Sequence, residues 1–402
     1  MTVGKRAIEL RRVQVGLKIH RQAEDTMDRR HFLSSSAAGV AAAALANTHP
    51  AAAAGQAAGT SSQNASLPKR ALMKVGATAR CDDVSLKAIL RYGVRNIVTF
   101  APIAEPGRLF ATVDELRQAR DVAERNGVTI DVMTPPNLAS SHIDRERNPA
   151  IMLGQSPQRD RDIEAVQRML RNCAAAGIPC LKYNMSILGV LRTGRKDGRA
   201  DTSYSYFKLA DAKADPPLTK AGVVDADAYW ERITYFLERV IPVANEYKVR
   251  MACHPNDSMT PPEGYQGVHA VLSTVDGLKK FVSIKESPYH GLNFCQGTVS
   301  EMLQDPGTEV YDVIRYFSER RKIFMVHFRN IIGNRQEFAE VAVDEGVVDM
   351  ARAMKVYSDT GYDGIITPDH TIQAPNDPGG DKSMAFTYGY ISGLIKAAGL
   401  MA

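Results

Sequence analysis

Two histidines, one cysteine and one aspartate stand at the C-terminal ends of four successive apolar runs in the second half of the sequence. The runs close on Cys253-His254-Pro255, Phe294-Cys295-Gln296-Gly297, His327-Phe328-Arg329-Asn330 and Pro368-Asp369-His370. Taken singly these residues say little, because a lone histidine after an apolar run is commonly structural and a lone cysteine is commonly a small buried hydrophobe. Their recurrence at the same place in four consecutive runs is what points to chemistry. Imidazole, thiolate and carboxylate are the donors that hold a divalent cation at about 2.0–2.3 Å. If the four runs are neighbouring strands, His254, Cys295, His327 and Asp369 can share one ion.

The rest of the chain has the pattern needed to make them neighbours. Short β-branched runs alternate with longer amphipathic ones, the signature of βα units and a parallel sheet. Eight strands are expected, over Leu72–Val75, Asn96–Phe100, Thr129–Met133, Cys180–Asn184, Arg250–His254, Gly291–Cys295, Ile323–His327 and Gly364–Pro368. Eight is the number that closes a barrel, so the expected fold is α/β, a single (β/α)8 TIM barrel over residues 67–402. Helices are expected between the strands. Thr112–Asn126 sets Val113, Leu116, Ala119, Val122 and Ala123 at helical spacing and stops at Gly127, and Pro157–Ala176 stops at Gly177. Two more are expected over Asp227–Tyr247 and Asp349–Thr360. The long connections after strands four (Ser186–Pro217) and five are the kind that builds an active mouth.

The runs M-A-C-H-P-N-D, G-L-N-F-C-Q-G, H-F-R-N and P-D-H together resemble the mannonate dehydratase family. So do Tyr183-Asn184 followed by Arg192-Thr193, and the stretch Gly346-Val347-Val348-Asp349-Met350. The resemblance covers most of the chain after the leader described below and implies a barrel of the xylose-isomerase-like kind. It implies that His254, Cys295, His327 and Asp369 bind manganese. The donor set by itself, a thiolate with two imidazoles, suits Zn2+ better and is open to Fe2+ or Ni2+.

The implied reaction is loss of water from D-mannonate to give 2-dehydro-3-deoxy-D-gluconate. Its hard step is removal of the C2 proton beside a carboxylate, which a divalent ion eases as Lewis acid and template; the C3 hydroxyl then needs a proton to leave. On this resemblance His370 and Tyr183 are the acid/base candidates, and Arg329 is the bidentate clamp for the substrate carboxylate. Asn184, Arg192 and Asn330 are the expected substrate contacts. Lys182, on the opposite side of its strand from Tyr183, is read as structural.

Three positions depart from the family pattern. Thr367 stands where an arginine precedes P-D-H. The tyrosine of the last helix region is replaced by Ala385 or Phe386, with Tyr388 nearby, and the opening strand reads Met73-Lys74-Val75-Gly76. Two other activities therefore stay open: a metal-dependent sugar isomerase or epimerase, and a non-catalytic sugar-acid binding protein.

The first part of the chain reads differently. Asp28-Arg29-Arg30-His31-Phe32-Leu33 and the weakly apolar run to Ala46 resemble a twin-arginine export signal, too short and poor in Leu and Ile to span a membrane. Residues 27–66 are expected to be signal and spacer, with the mature chain starting between Ala52 and Gly59 in the periplasm. Residues 1–26 are expected to be an untranslated or disordered extension. Residues 1–55 carry eight Lys/Arg and four Asp/Glu, so four of the net +5 charges sit there. The nearly neutral remainder argues against nucleic acid or an acidic membrane as partner and for a small-molecule sugar acid. A homo-oligomer is left open. Five cysteines, an odd number without knuckle spacing, make a disulfide framework a poor reading.

Overall fold

The ends of eight parallel strands pair edge to edge until the first meets the last. In the computed structural model, which describes residues 71–213, 216–257, 260–261 and 264–400, the closed order is one, eight, seven, six, five, four, three, two. The barrel strands are Lys74–Thr78, Asn96–Phe100, Thr129–Thr134, Cys180–Asn184, Arg250–His254, His290–Cys295, Ile323–His327 and Ile365–Thr367. Closure is made by Lys74 against Ile365 and Val75 against Ile366. The expected leader, spacer and preceding extension lie outside the described residues. Among the described residues no helix is long and apolar enough to cross a membrane.

Alternation along each strand divides the core in two. Val98, Val132, Cys180, Ala252, Met325 and Ile365 fill the barrel interior, whereas neighbours such as Ile97, Leu181, Met251 and Ile366 pack outward beneath the helices. The crossover helices form where the sequence supplies both a stripe and its stops. Val113–Arg125 is opened by a capping box between Thr112 and Glu115, and Gln158–Ala176 ends on Gly177 at φ 74°. The remaining expected helices are found as Ala226–Tyr247 and Met350–Asp359.

One expectation is corrected. The first strand begins two residues later than its apolar residues suggested, because Leu72 is left exposed while Gly76 packs inside against Thr367. The long connection Ser186–Pro217 carries structure of its own. Gly194–Asp197 and Ser203–Lys208 form a hairpin that joins Asn330–Asn334 and Glu337–Val341 in a four-stranded antiparallel sheet. Phe207, Ile331 and Phe338 are buried on one face of it and Tyr204, Ala339 and Val341 on the other, and Glu340 is the residue it delivers to the site.

Candidate metal centre

Parallel register sets the strand ends side by side. Asn184 pairs with His254, Cys295 with His327, and His327 with Thr367, two residues before Asp369. One donor atom from each of His254, Cys295, His327 and Asp369 lies within 4.8 Å of the other three. Cys295 Sγ is 3.3 Å from Asp369 Oδ2, and His327 Nδ1 is 3.4 Å from Asp369 Oδ1. The two imidazole centroids are 5.1 Å apart.

The donors fit a cation. Buried His327 Nδ1 has no hydrogen-bond partner among the described residues, although it lies 3.4 Å from Asp369 Oδ1. Its Nε2 lies 3.3 Å from Asn293 Nδ2, whose amide has an unpartnered Oδ1; exchanging the two amide atoms lets Oδ1 accept from Nε2–H and leaves Nδ1 as a lone pair. His254 Nδ1 lies 2.7 Å from the Pro255 carbonyl and donates to it, which frees Nε2. Burial lowers both imidazoles, His254 to about 4, so both are in the neutral, ligating form near pH 7. Cys295 accepts from Thr298 N at 3.4 Å and Thr298 Oγ1 at 3.1 Å. Burial pushes its thiol up; a bound divalent ion is the charge that reverses this.

Behind the cage lies a buried charge network. The Arg329 guanidinium, 2% exposed, donates from Nε to Asp369 at 2.9 Å and reaches Glu301 at 2.5 Å, Asp257 at 3.1 Å and Glu340 at 3.2 Å. Arg192 pairs with Asp257 at 3.0 Å and with Glu340, and lies over the Phe338 ring. Burial works against ionisation of Glu340, but Arg329 and His370 hold it at about 2. Burial pushes the Glu301 carboxyl up. A Cβ on Gly297 would fall 2.3 Å from Arg329 Cγ, so glycine there is what lets the guanidinium cross the helix Gln296–Glu301.

In front of the cage opens a cavity of about 630 Å³, within the range of small-molecule sites. His327, Asp369 and Lys182 line its inner end; Ser85, Met384 and Tyr388 are among the residues of its walls.

Residues 73–215 and 208–402 match the family description "D-mannonate dehydratase (UxuA)". The chain belongs to the D-mannonate dehydratase family. The mannonate dehydratase of Thermotoga maritima is 29% identical over 292 residues, covering 64% of this chain and 77% of the relative. That of Shouchella clausii is 28% identical over 324 residues, covering 72% and 85%. The crystal structure of mannonate dehydratase from Streptococcus suis superposes with a TM-score of 0.67 at 24% identity, covering 81% of this chain and 95% of that one. A xylose isomerase domain protein from Alicyclobacillus acidocaldarius, at 12% identity, covers 81% and 99% with a TM-score of 0.54, a likeness of fold alone.

In this dehydratase-family barrel the site residues expected from sequence divide. His370 sits at the cage, with Nδ1 2.7 Å from Glu340 and Nε2 4.0 Å from Asp369; Asp369 beside it, with Glu340, raises the imidazolium to about 9. Asn184 is on the inner face next to His254 and donates to the Ala139 carbonyl at 2.8 Å. Tyr183 is not at the mouth. It packs outward against Phe236, 5.6 Å between centroids, and Lys182 takes the inner face instead. The two were assigned to the wrong sides: in the observed register Lys182 pairs with Ala252 of the interior cluster. Tyr183→Phe should therefore leave turnover within about twofold and stability within about 1 kcal/mol, since its hydroxyl has no good partner to lose. A hundredfold fall in kcat would return Tyr183 to the reaction.

Three other expectations change. Arg329 cannot clamp a substrate while four carboxylates occupy it. Arg192 is drawn into the same network rather than the cavity. Asn330 is buried, bonded to the Val348 carbonyl and amide at 2.9 and 3.2 Å, and pins the 343–348 turn. Asp257, Asn293, Glu301 and Glu340 were missed, although Asp257 and Asn293 fall inside the family-like runs. Thr367 points into the barrel and donates to the Val326 carbonyl at 3.1 Å. Tyr388, not Ala385 or Phe386, is the tyrosine of the last helix, Asp381–Leu400, that lines the cavity.

Proposed function

We propose that the protein is a metal-dependent hydro-lyase that converts D-mannonate, or a closely related aldonate, to the 2-keto-3-deoxy acid and water. The observation that carries this is the convergence of His254, Cys295, His327 and Asp369, the last two lining the inner end of an open cavity, in a member of the dehydratase family. A divalent ion, manganese on the family resemblance, would supply a Lewis acid for the substrate's oxygens and offset Asp369, the main upward pull on His370.

The remaining chemistry belongs to side chains. Glu340 fixes His370 Nδ1, so Nε2 is the atom that takes the C2 proton and hands it to the departing C3 hydroxyl. The C2–H and C3–O bonds break, a C2=C3 enol forms, and its tautomerisation gives the keto acid. Burial holds the Tyr388 phenol up at about 12, so it stays a hydrogen-bond donor toward the cavity.

Incubating the purified protein with Mn2+ and D-mannonate should yield a 2-keto-3-deoxy acid, and none after chelation. Interconversion of free aldoses without that product would make it an isomerase or epimerase. Binding of D-mannonate without any product would make it a binding protein.

A further inference from the structure

The anion-binding charge of this site is not where the sequence placed it. The cage offers no surplus: a thiolate and a carboxylate against a divalent ion sum to zero, with both imidazoles neutral. Arg329 and Arg192 are bound to Asp257, Glu301, Glu340 and Asp369, and the His370 imidazolium is already paired with Glu340 beside Asp369. A substrate anion entering this cavity must find its counter-charge elsewhere.

The cavity is lined by three cationic side chains, Arg80, Arg91 and Lys182. Arg80 is a rim residue, its side chain 85% exposed and 3.3 Å from Asp82, where solvent weakens any pair it makes. Arg91 is also exposed. Lys182 differs. Strand alternation turns it into the barrel, it is half-buried, and it shares the inner end of the cavity with His327 and Asp369. Burial works against its ammonium and lowers its pKa, Asp369 and Cys295 nearby favour the charged form, and it makes no hydrogen bond among the described residues. Three donors on a flexible stem are thus available to a ligand seated against the cage.

We propose that Lys182 binds the carboxylate of the acidic substrate and so selects sugar acids over neutral sugars at this site. This rests on the sugar-acid reading above. A charge-assisted pair formed away from bulk water is the strong kind, and its loss leaves the carboxylate desolvated without a partner. Lys182 touches no described residue by hydrogen bond, so an apolar replacement of similar length removes the charge without breaking an internal hydrogen bond.

The test uses the full chain loaded with Mn2+ and calorimetry with 3-deoxy-D-mannonate, which keeps the carboxylate but has no C3 hydroxyl to lose. Lys182→Met should weaken binding about ten- to hundredfold, with metal content and melting temperature maintained, and Lys182→Arg should recover most of the affinity. Unchanged affinity in Lys182→Met overturns the proposal. So does loss of affinity accompanied by loss of manganese, which would make Lys182 a counter-ion of the cage. A wild type that binds the analogue and loses affinity on Lys182→Met, yet does not dehydrate D-mannonate, ends the hydro-lyase reading and leaves the carboxylate site standing. A wild type that binds no such acid overturns both.

Discussion

Arg329→Met should destabilise the protein by about 3–5 kcal/mol, the cost of leaving buried charges without their partner. The residue is 2% exposed, and its guanidinium is the common partner of Asp257, Glu301, Glu340 and Asp369. Methionine fills much of the same volume, so the loss would report charge rather than a cavity. Arg329→Lys should recover little, because one ammonium cannot reproduce a planar fork that faces several carboxylates at once. Denaturant unfolding would measure the change. A loss below about 1 kcal/mol combined with a raised KM would restore Arg329 to the role first read from its position two residues after His327, a clamp on the substrate.

His327→Ala should abolish turnover while leaving the barrel folded. The side chain contributes a buried Nδ1 that has no hydrogen-bond partner among the described residues and lies 3.4 Å from Asp369 Oδ1, so removing it takes away a ligand and little else. Loss of an outer-shell partner typically weakens metal binding about 10–100-fold, and loss of a direct ligand should exceed that. Asn293→Ala, which removes only the amide at Nε2, should fall within that smaller range. The ordering of the two variants is the informative result. Equal effects would mean that His327 acts through Asn293 and not on a cation.

Much of this arrangement is legible in the sequence because barrel geometry is repetitive. Once eight runs are found, the ends of runs five to eight must converge, and His254, Cys295, His327 and Asp369 do. What failed was direction and occupancy. The side on which Tyr183 and Lys182 fall depends on aligning Cys180–Asn184 with Arg250–His254 end to end. Doing so pairs Asn184 with ligand His254 and turns Lys182 inward with it. The partners of Arg329 were less accessible, since Glu301 comes from a short buried helix and Glu340 from a separate antiparallel sheet. In Ser203–Lys208 the buried residues Tyr204 and Phe207 are three apart and fall on opposite faces, so no period-two stripe marks that strand in the sequence. Nothing local in Glu340 says that its strand folds back over the barrel mouth.

The most direct test of the central claim is elemental analysis of the purified protein beside its His327→Ala variant, both reconstituted with Mn2+ and freed of excess. The wild type should retain about one divalent ion per chain and the variant almost none, with matching circular dichroism spectra. Equal metal content in the two proteins would contradict a cation held by His254, Cys295, His327 and Asp369, and the hydro-lyase mechanism built on that cage would fall with it.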